Sequence, residues 1–104
     1  MERNWIRARA ALQGFYLRFG RWPTRLLLPD YAMRDFREVY FSEESIAKIQ
    51  VKLELVEADV PIVASDADGN EYSYGEEGFP DGDPEIGAEQ WLGVSPNWGN
   101  KPFF

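Results

Sequence analysis

An α+β fold is predicted for this chain: a small antiparallel β-meander of about three strands packed against two or three N-terminal helices. Three observations carry that expectation. Apolar residues recur with a helical period through residues 3 to 19, the period changes to alternation near residue 50, and an Asp68-Gly69 pair suits a tight hairpin further on. With 104 residues, 44% of them hydrophobic and 15% aromatic, the chain can build one core in one domain. Residues 1–49 read as mainly helical, 50–75 as antiparallel strands, and 76–104 as an acidic loop with an aromatic tail.

On a helical wheel Trp5, Ala8, Ala11, Leu12, Phe15, Tyr16 and Phe19 share one sector, the core face of a first helix, and Arg3, Arg7, Gly14 and Arg18 lie opposite. Gly20 is placed to end that helix, with Pro23 just beyond. "TRLLLP" (24 to 29) is a short apolar run between turn signals and reads as a buried strand; its membership of the meander is open. Asp30 is placed to cap a second helix, from about Tyr31 to Val39, that buries Met33 and Phe36 with Tyr40 at its end.

Ser42, Glu43 and Glu44 suit the start of a third helix reaching about Ile49, because a serine can cap free amides and acids favour the positive end of the helix dipole. In "IQVKLELVE" Ile49, Val51, Leu53 and Leu55 alternate with Gln50, Lys52, Glu54 and Val56, the pattern of a strand with one buried face. The meander is then 50–57, 61–66 and 70–75, the last two joined through Asp68-Gly69. Gly75, Gly78, Pro80, Gly82, Pro84 and Gly87 break the next segment into a loop, and a helical turn is expected around Glu85 to Leu92. Trp91, Trp98, Phe103 and Phe104 read as an arm packed over the protein's own core; exposed, they would drive homo-oligomer formation.

The chain contains no cysteine and no histidine, which excludes disulfides, thiolate chemistry, Cys-ligated metals and His-dependent triads. Arginines scattered through the first residues do not make a secretory leader, and no window approaches the roughly 18 apolar residues of a membrane span, so a cytoplasmic location is expected. Glycine-rich phosphate loops are absent, and the glycines after residue 74 sit among acids that would repel a phosphate. Paired carboxylates could serve acid–base catalysis, but no pair stands out among 18 acids, and neither an enzyme nor a cofactor is expected.

Charge is divided unevenly. Residues 1–52 carry +4 and residues 53–104 carry −11, within a net −7. From Asp66 to Glu89 there are nine carboxylates and no cation. Asp66 and Asp68 match the first two ligand positions of a calcium loop, but Gly69 comes two places early and the bidentate glutamate is missing, so a charged hairpin tip is the better reading.

The arginine stripe Arg3, Arg7 and Arg18, with Arg9, Arg21 and Arg25 and the rings of Trp5, Tyr16 and Trp22, could contact nucleic acid; the net negative charge opposes this. A solvated helix face, or pairing with the acidic half, is the simpler reading. The acidic segment carries rings that a purely solvating loop does not need. The expected partner site is therefore Asp66, Asp68, Glu71, Glu76, Glu77, Asp81 and Asp83 as charge, with Tyr72, Tyr74 and Phe79 as anchors, docking on a basic protein surface.

In its sharpest form the chain is an inhibitor that mimics nucleic-acid charge and occupies a nucleic-acid-binding protein. Small acidic inhibitors of that kind, including those phages deploy against bacterial defence systems, are similar to it in size and charge. The alternatives are a generic regulatory or structural subunit, and direct nucleic-acid binding through the N-terminal helix.

Overall fold

The computed structural model describes residues 3–74 and 86–95. Helix α1 (Arg3–Phe19) is followed by strand β1 (Arg25–Leu28), helix α2 (Asp30–Asp35), a π-helical turn (Phe36–Tyr40), helix α3 (Glu43–Lys52), strands β2 (Glu54–Glu57), β3 (Val63–Ser65) and β4 (Glu71–Ser73), and helix α4 (Ala88–Leu92). The class is α+β. The strand order is β2-β1-β3-β4, with β1 parallel to β2 and antiparallel to β3, and β3 antiparallel to β4.

That order corrects the expected meander, because "RLLL" joins the sheet and separates β2 from β3. Leu26 and Leu28 are fully buried in the core, and Leu27 is half-buried on the opposite face between Val56 and Val63. A strand apolar on both faces is stabilised most in the interior of a sheet, whereas "ELVE", with a glutamate at each end, suits an edge. The segment between β1 and β2 is long enough for the crossover that a parallel pair requires, and it holds α2, the π turn and α3.

Helix α3 continues to Lys52, beyond the expected switch at Ile49. Ile46, Ile49 and Leu53 are buried at helical spacing, while Val51, expected on a buried strand face, is 81% exposed. The alternation in "IQVKL" was a coincidence of two periods, resolved by the helix that Ser42 starts through its bond from the Ser45 amide at 3.1 Å. The second helix starts one residue early: Pro29 is the cap and Asp30 the first helical residue, with no capping bond from its carboxylate. Its π turn brings Phe36, Tyr40 and Phe41 all inward, where Phe36 and Phe41 meet Trp5 edge-on at centroid distances of 5.7 and 5.3 Å.

The core lies on the Leu26 face of the sheet, where Leu26, Ala64 and Tyr72 stand side by side against Trp5, Ala8, Ala11, Leu12 and Phe15 of α1. Both flanks of α1 are also occupied. On one, Tyr72 covers Gly14 and the Arg18 guanidinium lies 4.8 Å from the Tyr72 ring centroid. Gly14, expected to face solvent, is therefore buried.

On the other flank α4 is held by side chains. Buried Trp5 donates its indole N–H to Glu89 at 2.9 Å, Gln13 accepts the Ala88 amide at 3.0 Å, and Trp91 stacks on Trp22 at 4.6 Å. Trp91 is thus packed on the body of the protein, while Trp98, Phe103 and Phe104 lie outside the described residues. Among the described residues no helix is long and apolar enough to cross a membrane.

A methyl group at position 14 would overlap the ring of Tyr72. Gly14→Ala is expected to destabilise the protein by about 1–3 kcal/mol through overpacking, reversing the roughly 1 kcal/mol that alanine ordinarily gains over glycine inside a helix. Urea unfolding measures this, and in a Tyr72→Leu background most of the cost should vanish. Glu89→Ala, which leaves the Trp5 N–H without its acceptor, is expected to cost about 1–3 kcal/mol in the same assay.

Candidate functional site

The hairpin between β3 and β4 turns where the Asp68-Gly69 pair predicts, with Gly69 at φ +89°, a conformation that other residues adopt at a cost. Asp66 is its internal staple. One carboxylate oxygen accepts the amides of Asp68 and Asn70 at 3.0 and 3.1 Å, and the other accepts Arg21 at 2.7 Å and the Asn70 side chain at 3.2 Å. Burial pushes the Asp66 pKa up, but the bonds from Arg21, the Asn70 side chain and the two amides outweigh it and bring it from 3.8 down to about 2. The carboxylate that opened a calcium-like pattern is thus engaged with the hairpin itself, and no group of three metal-ligating side chains occurs among the described residues.

The expected docking face is only partly at the surface. Asp68 is exposed, yet it shares Arg21 with Asp66 at 3.0 Å. Glu71 is exposed on β4. Tyr72 is 2% exposed and belongs to the core, so its ring cannot anchor a partner. Tyr74 is 42% exposed, with Arg7 lying 5.7 Å from its ring centroid. Glu76, Glu77, Phe79, Asp81 and Asp83 lie outside the described residues.

The N-terminal cations are drawn toward the acidic half. Arg9 pairs with Glu89 at 3.1 Å, Arg21 with Asp66 and Asp68, and Arg25 with Glu54 at 3.1 Å. Arg7 and Arg18 lie over tyrosine rings of the β4 region. Exposed pairs of this kind contribute about 0–1 kcal/mol each, but they bring opposite charges together across the chain and reduce the basic stripe that nucleic-acid contact would need.

A second acidic surface forms where the parallel strands β1 and β2 end. Pro29, Asp30 and Tyr31 follow β1, and Glu57, Ala58 and Asp59 close and follow β2; together they line an open cleft of about 440 Å³. Tyr31 is 52% exposed beside these acids. The Arg34 guanidinium comes no closer to Asp30 than 3.9 Å, and among the described residues no cation pairs with Glu57 or Asp59. Three carboxylates around an exposed ring suit an incoming ammonium or guanidinium, which would gain Coulomb attraction and cation–π contact together.

A smaller cleft of about 380 Å³ at the opposite end of the same strand pair is lined by Thr24 and residues 50–55. The Asp30, Glu57 and Asp59 grouping was missed from sequence because its members are isolated acids in two separate stretches. The available signal was that "LLLPD" and "LVEAD" are apolar runs with acids at their ends, which parallel pairing sets side by side.

No family model matches this chain, and no curated protein or solved structure is found to be similar to it.

Because the Asp66 pKa is depressed on folding, its contribution to stability is fully present above 3.8 and is lost as pH falls toward 2. Asp66→Asn keeps an oxygen for the two amides and removes the charge facing Arg21. The difference in Tm between wild type and this variant is expected to be largest above pH 4 and to close as pH approaches 2. A Tm difference that stays constant across that range would show that the ion pair contributes nothing.

Proposed function

We propose that this chain is a non-enzymatic protein-interaction module that binds a basic surface on another protein through its acidic faces. The observation that carries this reading is the carboxylate grouping Asp30, Glu57 and Asp59 around the exposed Tyr31, in which Arg34 reaches only Asp30, at 3.9 Å, and no described cation pairs with Glu57 or Asp59, in a molecule of net charge −7. Charge of one sign at a concave site steers an oppositely charged partner, and a ring in its midst supplies short-range affinity. The hairpin acids contribute long-range field more than contact, since Arg21 already occupies two of them. Asp66, shifted downward, is also unsuited to act as a general acid near neutral pH.

In the sharpest form of the reading the partner is a nucleic-acid-binding protein whose basic groove the chain fills in place of a phosphate backbone. Arg21 and Arg9 pair with Asp66, Asp68 and Glu89, and the other six of the nine carboxylates from Asp66 to Glu89 support that form, because a duplex presents a negative charge about every 1.7 Å of its axis. Direct nucleic-acid binding through α1 is disfavoured by the engagement of Arg7, Arg9, Arg18 and Arg21 within the fold.

Binding to a basic protein, measured by calorimetry, is expected to weaken steeply as salt rises from about 0.05 to 0.5 M. The triple variant Asp30→Asn, Glu57→Gln, Asp59→Asn should lose about tenfold or more in affinity, and Asp68→Asn with Glu71→Gln markedly less. Salt-insensitive binding, or retention of the protein on a DNA or RNA column at low salt, would count against the proposal.

A further inference from the structure

We infer that β2 is a docking edge, which takes up an extended basic segment of a partner protein as a fifth strand of the sheet. This rests on the reading of the chain as an acidic interaction module and names the form of the partner. β2 is the outer strand on its side of the sheet. The Glu54 amide donates to Thr24 and the Ala58 amide to Leu28, both at 2.9 Å, so the even-numbered residues of β2 turn their backbone groups toward β1. Leu55 and Glu57 consequently point their N–H and C=O groups outward, and among the described residues no backbone bond fills them. Open clefts flank both ends of the strand, which leaves room for a chain running past it.

The side chains decide what kind of strand fits. Residues directly opposite one another on neighbouring strands share a face, so an incoming strand is read position by position by Glu54, Leu55, Val56 and Glu57. The two glutamates are exposed, Arg25 pairing with Oε1 of Glu54 at 3.1 Å and leaving Oε2 to a second cation, and the two apolar residues between them are half-buried. The complementary segment carries a cation, two apolar residues and a second cation, a pattern that reads the same in parallel and antiparallel orientation. Past Glu57, Asp59 and Asp30 extend the acidic path into the cleft beside Tyr31. A second copy of this chain is the wrong occupant: antiparallel pairing of β2 with itself opposes residues of like parity, so within the strand Glu57 meets Leu55 or another Glu57 and Glu54 meets Val56 or another Glu54, never a cation.

The test uses a short peptide containing Lys-Val-Val-Lys, titrated into the isotope-labelled full chain at low salt. Amide exchange at Leu55 and Glu57 is expected to slow by about tenfold or more at saturation, and the same peptide N-methylated at alternate backbone nitrogens should bind at least about tenfold more weakly. Leu55→Pro removes an outward N–H without touching the β1 ladder and is expected to abolish binding; should that variant fail to fold, the N-methylated peptide still decides.

Peptide binding with unchanged exchange at both amides and no effect of N-methylation would overturn edge addition while sparing the broader reading of an acidic module. Absence of any low-salt binding of the peptide, together with no binding of basic proteins, would remove both. Self-association of the chain through β2 would overturn the assignment of the edge to a basic partner.

Discussion

The position of one strand governs this molecule. Leu26 and Leu28 are buried on the helix face and Leu27 is half-buried on the other, so β1 has to lie inside the sheet. Burying such side chains is worth about 2 kcal/mol each, more than any exposed ion pair in the fold can return. Once β1 is interior, the crossover through α2 and α3 delivers β2 parallel to it. Segments that are distant in the chain then end at the same place, and that is how Asp30 comes to face Glu57 and Asp59. The acidic cleft is a consequence of sheet order rather than of any local run of acids.

Helix α1 distributes charge in a complementary way. Its core sector packs on the sheet, Gly14, Arg18 and Arg7 receive the tyrosines of the β4 region, and Trp5, Arg9 and Gln13 hold α4. A guanidinium over a ring keeps its charge but loses part of its freedom to reach a phosphate. The basic half of the sequence is thereby folded into contact with the acidic half, and among the described residues Glu57 and Asp59, at the β1–β2 end of the sheet, have no cation paired to them.

Elements governed by a single period were legible in the sequence. The α1 core face, the Ser42 helix start and the Asp68-Gly69 turn follow from local chemistry alone. What local pattern could not give was neighbourhood. Nothing in "RLLL" says which strands flank it, and Gly14 looks solvent-facing until Tyr72 is known to pack on that flank of α1. Alternation in "EYSY" already set Tyr72 apart from Glu71 and Ser73, which was the available sign that this ring belonged to the core. Asp66 misled in the opposite sense, since a carboxylate in an acidic run can be occupied by its own turn and one distant arginine.

Glutamates on an exposed edge strand have a familiar protective use, keeping identical edges from pairing. Protection and recognition are the same physics viewed with different partners. Two copies of β2 bring no cation to either glutamate in any antiparallel register, and a strand with cations at those positions is attracted by both charges. Specificity then requires no deep pocket, consistent with the open clefts at both ends of the strand. Backbone groups at Leu55 and Glu57 supply directionality, and the surplus negative field of the whole molecule, undiminished at this end by the α1 arginines, raises the encounter rate with any basic chain.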